Sequence, residues 1–323
     1  MALSPITNIG DLRQLAFASL RRRLQPRGNL RRYSTNMNQF KSPRGRRQLV
    51  RVPRNAVLAA LNLVNPDSGL PRNAATISHV DIDWHGAGND TSFPLTYSFD
   101  EWDLAGDGIA PEVIADHANR QVSAFERSWD DVAIAELKGN DIWGLAANRT
   151  TIGGITQAAG LTDSNVDAII KKALEVPYEY WERGMEIVPS DPDGEAMRQI
   201  IAVCNVSFVK AALGALYDDF AVGRALNDAP YLQATLGPIL GGMTIVLSRA
   251  MDNTVTAAGD EYAIGTFLMG SLADVDDDSP ARDAVGYTAD GRPTMERIAG
   301  FFRDIGIKHL DPMESYAIKM TVT

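Results

Sequence analysis

The chain has 323 residues, of which 45% are hydrophobic and 22% are charged, and these values are ordinary for a globular protein. No apolar run approaches the roughly 18 residues that cross a bilayer, so we expect no membrane partner. Cys204 is the single cysteine, which excludes an intrachain disulfide and favours a reducing compartment.

The net charge of −10 is distributed very unevenly along the chain. Residues 1–54 hold thirteen bases and one acid, a net +12, whereas the remaining residues hold eighteen bases and forty acids, a net −22. This asymmetry indicates a basic arm that meets nucleic acid, acidic protein or a membrane surface. A basic, acid-poor N-terminus is also typical of an organellar presequence, which stays open as an alternative.

The basic arm has two parts. Small and apolar residues at every fourth position predict a short amphipathic helix over 11–24, and Pro26 ends it. Residues 25–54 are polar and broken by prolines and glycines, so they build no core alone and we expect them to lie along another surface. The arginines that we assign to an inter-subunit or DNA-facing role are Arg13, Arg21, Arg22, Arg23, Arg27, Arg31, Arg32, Arg44, Arg46 and Arg47.

A long β-hairpin is predicted over 76–99. Two segments alternate between apolar and polar residues, and a glycine-rich turn at 85–90 separates them. Pro94 cannot donate to a ladder, so the second segment is predicted to be an edge strand. The side chains that we expect to make contacts from this loop are Trp84, Phe93, Tyr97 and Phe99.

The longest predicted element is a helix over 111–138. Pro111 suits its first turn, apolar residues recur every three or four positions, and Gly139 suits the position after its end. A helix of this length spans roughly 42 Å at about 1.5 Å per residue, which is typical of a scaffold rod.

The C-terminal half is predicted to alternate helices and strands, giving an α+β fold. A helix is predicted from Thr162 to Pro177 and another over 207–221. Strands are predicted at 200–204, 243–247, 262–272 and 316–322. Residues 274–293 are rich in aspartate, and we expect an exposed loop there.

No motif in the chain predicts catalysis or metal binding. The four histidines lack the spacing of a metal site, and the glycine pairs at 153–154 and 241–242 lack the lysine of a phosphate loop. The acidic run at 274–278 lacks the glycine and glutamate of a calcium loop. We therefore assign no catalytic residue, no metal and no cofactor, and expect that the protein is not an enzyme.

Three stretches resemble one known family. They are residues 125–139 (FERSWDDVAIAELKG), 242–248 (GMTIVLS) and 310–317 (LDPMESYA), set within the order arm, hairpin, long helix, α/β region and closing strand. This order resembles the major capsid protein of tailed phages, whose fold also occurs in herpesvirus capsid floors and encapsulin shells. The resemblance covers most of residues 70–323.

The resemblance implies four regions. They are an N-terminal arm over 1–72, an extended β-hairpin loop over 73–105, a peripheral domain over 106–145 and 250–323 with its spine helix at 111–138, and an axial domain over 146–249. Some phage capsids cross-link through a lysine of the extended loop, and residues 73–105 contain no lysine, so that chemistry is not supported.

The function implied is that of a structural protein which self-assembles into an icosahedral shell around packaged viral DNA. Its location would be the virion, and the host cytoplasm during assembly. Its partners would be itself in pentamers and hexamers, double-stranded DNA bound without sequence specificity, and scaffolding, portal and decoration proteins. The alternatives are an encapsulin-like compartment shell and an organellar enzyme with a retained presequence.

Overall fold

A computed structural model describes residues 30–40, 49–54, 78–83, 92–100, 110–156, 160–183, 185, 198–220, 236–237, 239–251, 259–280, 285–287 and 293–322. The helix predicted at 11–24 lies outside these residues. Among the described helices, none combines the length and hydropathy that a membrane span requires.

The described residues form three α-helices and twelve strands. The helices are α1 (Pro111–Leu137), α2 (Asp163–Glu182) and α3 (Val206–Phe220). The strands are β1 (Thr35–Asn36), β2 (Leu49–Arg54), β3 (Ser78–Asp83), β4 (Ser92–Asp100), β5 (Arg149–Ile155), β6 (Ile200–Cys204), β7 (Thr244–Leu247), β8 (Gly259–Leu268), β9 (Leu272–Pro280), β10 (Val285–Tyr287), β11 (Pro293–His309) and β12 (Ser315–Val322).

Two five-stranded sheets organise the described residues. The first has the order β1-β9-β11-β10, and β4 also pairs along β11. The second has the order β5-β12-β8-β6-β7, with β12 parallel to β5 and antiparallel to β8. Helix α1 contacts the first sheet through β4 and β11, and α2 contacts the second through β5 and β12.

The predicted rod is confirmed as α1, within one residue of its expected end. Pro111 occupies the first turn, where a backbone N–H would have no acceptor within the helix, so the lack of an N–H in proline costs no hydrogen bond. One face, from Ile114 through Phe125 to Leu137, is buried. Gly139 N then donates to Glu136 O at 3.0 Å and ends the helix. The rod therefore forms because one continuous apolar stripe is buried along its length.

Helix α2 begins as predicted but does not stop at Pro177. The Thr162 side chain accepts a hydrogen bond from Asn165 N at the start, whereas Pro177 lies inside the helix. Tyr180, one turn further, is fully buried and its hydroxyl lies 2.9 Å from Thr266 Oγ1. Tertiary packing of this last turn outweighs the loss of one helical hydrogen bond at the proline.

The two strands of the predicted hairpin form, but the pairing that we predicted is wrong. β3 pairs antiparallel with β2, and β4 pairs antiparallel with β11. Ile82 of β3 is buried with Met37 and Val275, whereas Leu95 of β4 is buried in the cluster around α1. The two strands bury their apolar residues in different clusters. Each strand therefore pairs with a neighbour in its own cluster and not with the other strand. In the described sheets β4 pairs along β11 alone, as Pro94 predicts for an edge strand.

The exposed loop predicted at 274–293 is also wrong over 274–280 and 285–287, which form strands, and the rest of that range lies outside the described residues. Residues 272–280 form β9, which lies between β1 and β11, and Asp274 is only 3% exposed. Asp274 is buried and Asp276 is largely buried because the N-terminal arm supplies their partners, as described below, whereas Asp277 is exposed.

The end of α2 is fastened to the closing strand by Arg183. Its guanidinium donates to Ser315 O at 2.9 Å, to Asn148 Oδ1 at 3.1 Å and to Ala147 O at 2.6 Å. Asn148 is fully buried and donates to Pro312 O at 2.7 Å. This network joins the segment after α1, the end of α2 and the start of β12.

Candidate functional site at the base of the N-terminal arm

The last residues of the basic arm are built into the body of the same chain. Leu30 is fully buried, and its backbone N–H donates to Asp130 Oδ1 on α1 at 3.4 Å. Thr35 and Asn36 then form β1, which pairs parallel with β9. Met37 N donates to Asp274 O at 2.8 Å and continues this pairing. The arm therefore enters the body beside α1 and leaves it along the edge of the first sheet.

We call the contact between residues 30–38 and the body the arm junction, and Arg31 lies at its centre. It is 7% exposed, and its Nη2 lies 3.1 Å from Asp276 Oδ2, with Asp274 Oδ2 4.0 Å from its Nε. Its guanidinium carbon also lies 5.4 Å from the centre of the Phe125 ring on α1. Arg303 of β11 lies 5.8 Å from that ring centre and 3.4 Å from the same Asp276 oxygen. Two cations therefore share one carboxylate and one aromatic ring.

The arm also supplies neutral hydrogen-bond donors to the two carboxylates. Ser34 Oγ donates to Asp274 Oδ1 at 2.9 Å, and Asn38 Nδ2 donates to Asp276 Oδ1. Asp276 N donates in return to Asn38 Oδ1 at 3.0 Å. A buried carboxylate is tolerated when it is paired and hydrogen-bonded, and the arm provides both conditions.

The two carboxylates respond differently to this environment. Burial raises the pKa of Asp274 above its ordinary value, and the Ser34 hydrogen bond and the Arg31 charge only partly oppose it. Burial acts in the same direction on the pKa of Asp276, but the Asn38 hydrogen bond and the charges of Arg303 and Arg31 outweigh it. The pKa of Asp276 therefore lies below its ordinary value, so this carboxylate is the stable anion of the junction.

The solved structures that resemble this chain have one fold in common. The structure from Mycobacterium phage Che8 has a TM-score of 0.50 and 14% identity, and the match covers 90% of this chain and 91% of that one. The capsid of Ralstonia phage GP4 has a TM-score of 0.50 and 11% identity, with 90% and 87% covered. The chain has the tailed-phage capsid fold. The α+β capsid fold expected from the sequence is thereby confirmed. Family models and curated protein sequences give no match to this chain.

The capsid fold separates two arginines that are neighbours in sequence. Arg31 is buried against its own chain, whereas Arg32 is exposed and lies 4.7 Å from the ring centre of Tyr33. The other arginines assigned to the arm lie outside the described residues; they are Arg13, Arg21, Arg22, Arg23, Arg27, Arg44, Arg46 and Arg47.

Three of the four aromatic residues assigned to the extended loop lie among the described residues. Trp84 lies outside the described residues. Phe93, Tyr97 and Phe99 lie in β4, and Phe93 stands opposite Arg303 in the pairing with β11. Their proposed contacts with other subunits stay a prediction.

Sequence reasoning missed most of the junction in this capsid fold. Ser34, Asn36 and Asn38 carried no signal, because single polar residues in a basic segment are common. The alternation of Asp274 and Asp276 around the apolar Val275 was an available signal, since a period of two places both carboxylates on one face of a strand. That pattern points to a strand with a polar partner.

A separate surface of the capsid fold is apolar and exposed. Leu174, Tyr178 and Trp181 are 42%, 70% and 65% exposed on α2. Their spacing of four and then three residues places them on one face of the helix. Large aromatic side chains with this exposure, aligned on one face, are typical of surfaces that bind protein.

Proposed function

We propose that this chain is a structural major capsid protein, many copies of which self-assemble into an icosahedral shell around packaged viral DNA. The observation that carries this proposal is the shared fold with the capsid of Ralstonia phage GP4 over about nine-tenths of each chain. The proposed location is the virion, after assembly in the host cytoplasm.

The proposed regions are those expected from the resemblance: arm 1–72, extended loop 73–105, peripheral domain 106–145 and 250–323, and axial domain 146–249. The pairing of β2 with β3 adds a contact between the arm and the extended loop. Arg183 supports a firm connection between the peripheral and axial regions, because its hydrogen-bond partners come from both.

Self-association into pentamers and hexamers is supported by the exposed face of α2. Burial of apolar surface is the main favourable term in most protein association, at about 25 cal/mol per Å². Tyr178 and Trp181 supply such a surface without a role in the core of their own chain. We therefore propose this face as one contact between neighbouring subunits.

The arm outside the described residues is proposed to contact neighbouring subunits or the packaged DNA. Contacts with DNA would involve phosphates and depend steeply on salt, because neutralised phosphates release their counterions. Scaffolding, portal and decoration proteins are further proposed partners.

Catalysis is not part of the proposal. Ser271 Oγ lies 3.1 Å from His309 Nε2, which brings together residue types found in hydrolases. However, Ser271 Oγ donates to Leu268 O at 2.7 Å, and both side chains are at least 97% buried. The hydroxyl proton is thus directed to a backbone carbonyl, and the pair fastens the β8–β9 turn to the end of β11.

The proposal is tested by electron microscopy, comparing the full chain with a chain that begins at Gly28, so that Leu30 keeps its peptide N–H. We expect closed, regular shells from the full chain. The truncated chain keeps the Leu30–Asp130 and Arg31–Asp276 contacts, so we expect a folded subunit that forms no regular shell. Truncation after residue 54 is a poorer test, because it also removes the buried Leu30 and Met37.

Two outcomes would contradict these proposals separately. Regular shells from the truncated chain would remove the assembly role of the arm but leave the capsid function intact. Folded full chains that never assemble, across a range of salt concentrations and protein concentrations, would remove the capsid function. Enzyme cargo instead of nucleic acid inside native particles would favour the encapsulin-like alternative.

A further inference from the structure

Asp130 of α1 lies between the arm junction and a cavity. It is 8% exposed, and its Oδ1 accepts a hydrogen bond from Leu30 N at 3.4 Å. Among the described residues, its other oxygen has no hydrogen-bond partner. Arg31, the next residue of the arm, directs its guanidinium to Phe125 and Asp276 instead. A carboxylate buried to this degree is stabilised by a cation, and Arg31 does not supply one.

The cavity beside Asp130 is large enough to receive a side chain from outside the described residues. Its volume is about 480 Å³, and its lining includes Asp131 of α1, Val206 of α3 and Leu247 of β7. One water occupies about 30 Å³, so the space holds an extended side chain together with several waters. The apolar side chains suit the methylene stem of a long basic residue, and the carboxylates suit its charged end.

The acids beside the cavity carry charge that a cation would compensate. Glu126, Asp130 and Asp131 lie within six consecutive residues of α1. Burial raises the pKa of Asp130 from 3.8 to about 7, with the Leu30 hydrogen bond opposing this and the charges of Glu126 and Asp131 adding to it. An ionised Asp130 is therefore poorly compensated by its described neighbours, and a cation in the cavity would stabilise it.

Two cations of α1 and the residue after it lie near the cavity, but they contact backbone carbonyls. Arg127, which lines the cavity, donates through Nε to Ser123 O at 3.2 Å, back along the helix. Lys138 donates through Nζ to Ala250 O at 2.8 Å. In these contacts neither cation binds the acids, so the cavity keeps an acidic side that suits a further basic group.

The chain immediately before Leu30 offers arginine as its only basic residue type. Residues 1–29 contain five arginines and no lysine, and Arg27 is the arginine closest to Leu30 in sequence. Leu30 is held in place, because its side chain is fully buried and Tyr33 N donates to Leu30 O at 2.9 Å. Three residues of chain span at most about 11 Å, whereas Arg23 is seven residues away. Arg27 is therefore the arm cation that Leu30 keeps nearest to Asp130.

We propose that this cavity receives the guanidinium of Arg27 of the same chain, which pairs with Asp130 and Asp131 and fastens the entry of the arm to α1. A guanidinium has five N–H donors, so it can bind two carboxylates at once. A DNA phosphate would meet these carboxylates with like charge, so the site selects an arm arginine rather than DNA. The proposal concerns a contact within one chain and does not depend on shell assembly.

Hydrogen–deuterium exchange on the unassembled full chain tests this pairing as a double-mutant cycle. The peptide that contains Leu30 is followed at about pH 8, above the pKa of Asp130. We expect Arg27→Ala to reduce protection of the Leu30 amide by about 10-fold, a coupling typical of residues in contact. In Asp130→Asn the same change should reduce protection by less than about 2-fold, because the carboxylate is no longer present.

Arg13→Ala is the matched control, because it removes the same side chain from a more distant part of the arm. It should leave protection of Leu30 unaltered. An unaltered protection in Arg27→Ala would overturn the proposal, as would an equal loss in the presence and absence of the Asp130 carboxylate. Protection that rises with protein concentration would assign the cavity to the arm of a second copy and would overturn the same-chain pairing.

A second background keeps the test decisive if Asp130→Asn does not fold. Asp131→Asn changes an exposed position of the same helix, so we expect this variant to fold. Because one of the two carboxylates remains, Arg27→Ala should reduce protection of Leu30 by about 3-fold in this background. An undiminished 10-fold loss there would contradict the proposed pairing with both acids.

Discussion

The arm junction and the core of the second sheet are stabilised by different means. The core beneath β5, β12, β8, β6 and β7 consists of aliphatic and aromatic side chains, such as Ile169, Phe208 and Ile318. The junction buries Arg31, Asp274 and Arg303, and the hydrogen bonds that Arg31 and Ser34 donate to its carboxylates join residues about 240 positions apart. The core therefore tolerates changes of similar volume, whereas the junction depends on each charge keeping its partner.

The largest effect on stability is expected from Arg31→Ala. This change leaves Asp276 and Asp274 buried with less compensating charge, so the free energy of unfolding should fall by about 3–5 kcal/mol in urea denaturation. Arg32→Ala is the control, because Arg32 is exposed and should change stability by less than about 1 kcal/mol. Equal effects of the two changes would show that the junction does not depend on its buried charge.

The core should be sensitive to shape rather than charge at Gly265. A Cβ atom at this position would lie 2.2 Å from Cη2 of Trp143, whose ring is fully buried and whose Nε1 donates to Thr266 O. Gly265→Ala should therefore reduce the free energy of unfolding by about 1–3 kcal/mol.

Gly214→Ala on α3 is the matched control for that change. A Cβ there has no neighbour within 4 Å, and alanine favours a helix over glycine by about 1 kcal/mol. We expect thermal unfolding to show a small gain for Gly214→Ala and a loss for Gly265→Ala. A loss of similar size for both would mean that Trp143 can move aside and that the core is less tightly packed than its geometry indicates.

A smaller effect is expected at the polar network that joins the two regions. Arg183→Lys keeps the charge but cannot reach Asn148, Ser315 and Ala147 together, so about 1–2 kcal/mol should be lost in urea denaturation. Arg120→Lys is the control, because the Arg120 side chain is 80% exposed and pairs with Asp116 on its own helix. A loss for Arg120→Lys as large as that for Arg183→Lys would contradict the account of the network.

The smallest effect on the folded subunit is expected at Trp181. Its side chain is 65% exposed, so Trp181→Ser should change the free energy of unfolding by less than about 0.5 kcal/mol. The same change should raise the protein concentration needed for assembly, measured by light scattering. Lys172→Ser should leave assembly unaltered, because the Lys172 side chain is 43% exposed and lies nine residues before Trp181, on the opposite side of the helix. Unchanged assembly of Trp181→Ser would exclude this face of α2 from the subunit contacts.

The difference between the two regions also explains what could be predicted from the sequence. The stripe from Ile114 to Leu137 is a local pattern, and it predicted α1 within one residue. The apolar runs at 200–204 and 243–247 likewise predicted β6 and, within one residue, β7. Each of these elements forms from residues that are close together in sequence, so hydrophobic periodicity is sufficient to predict it.

The junction could not be predicted in this way. Asp274 and Asp276 belong to a strand only because Arg31, Ser34 and Asn38 satisfy them from a distant part of the chain. Residues 78–100 likewise contain two strands by pattern, but their partners depend on which cluster buries Ile82 and which buries Leu95. Pairing of this kind depends on tertiary structure that local patterns do not contain.

The central claim, that this chain builds a shell, is tested most directly by the mass of native particles. Sedimentation velocity and electron microscopy of the full chain should reveal closed assemblies in the megadalton range, made of subunits with the fold described here. A folded protein that remains a monomer or a small oligomer over a wide concentration range would contradict the account.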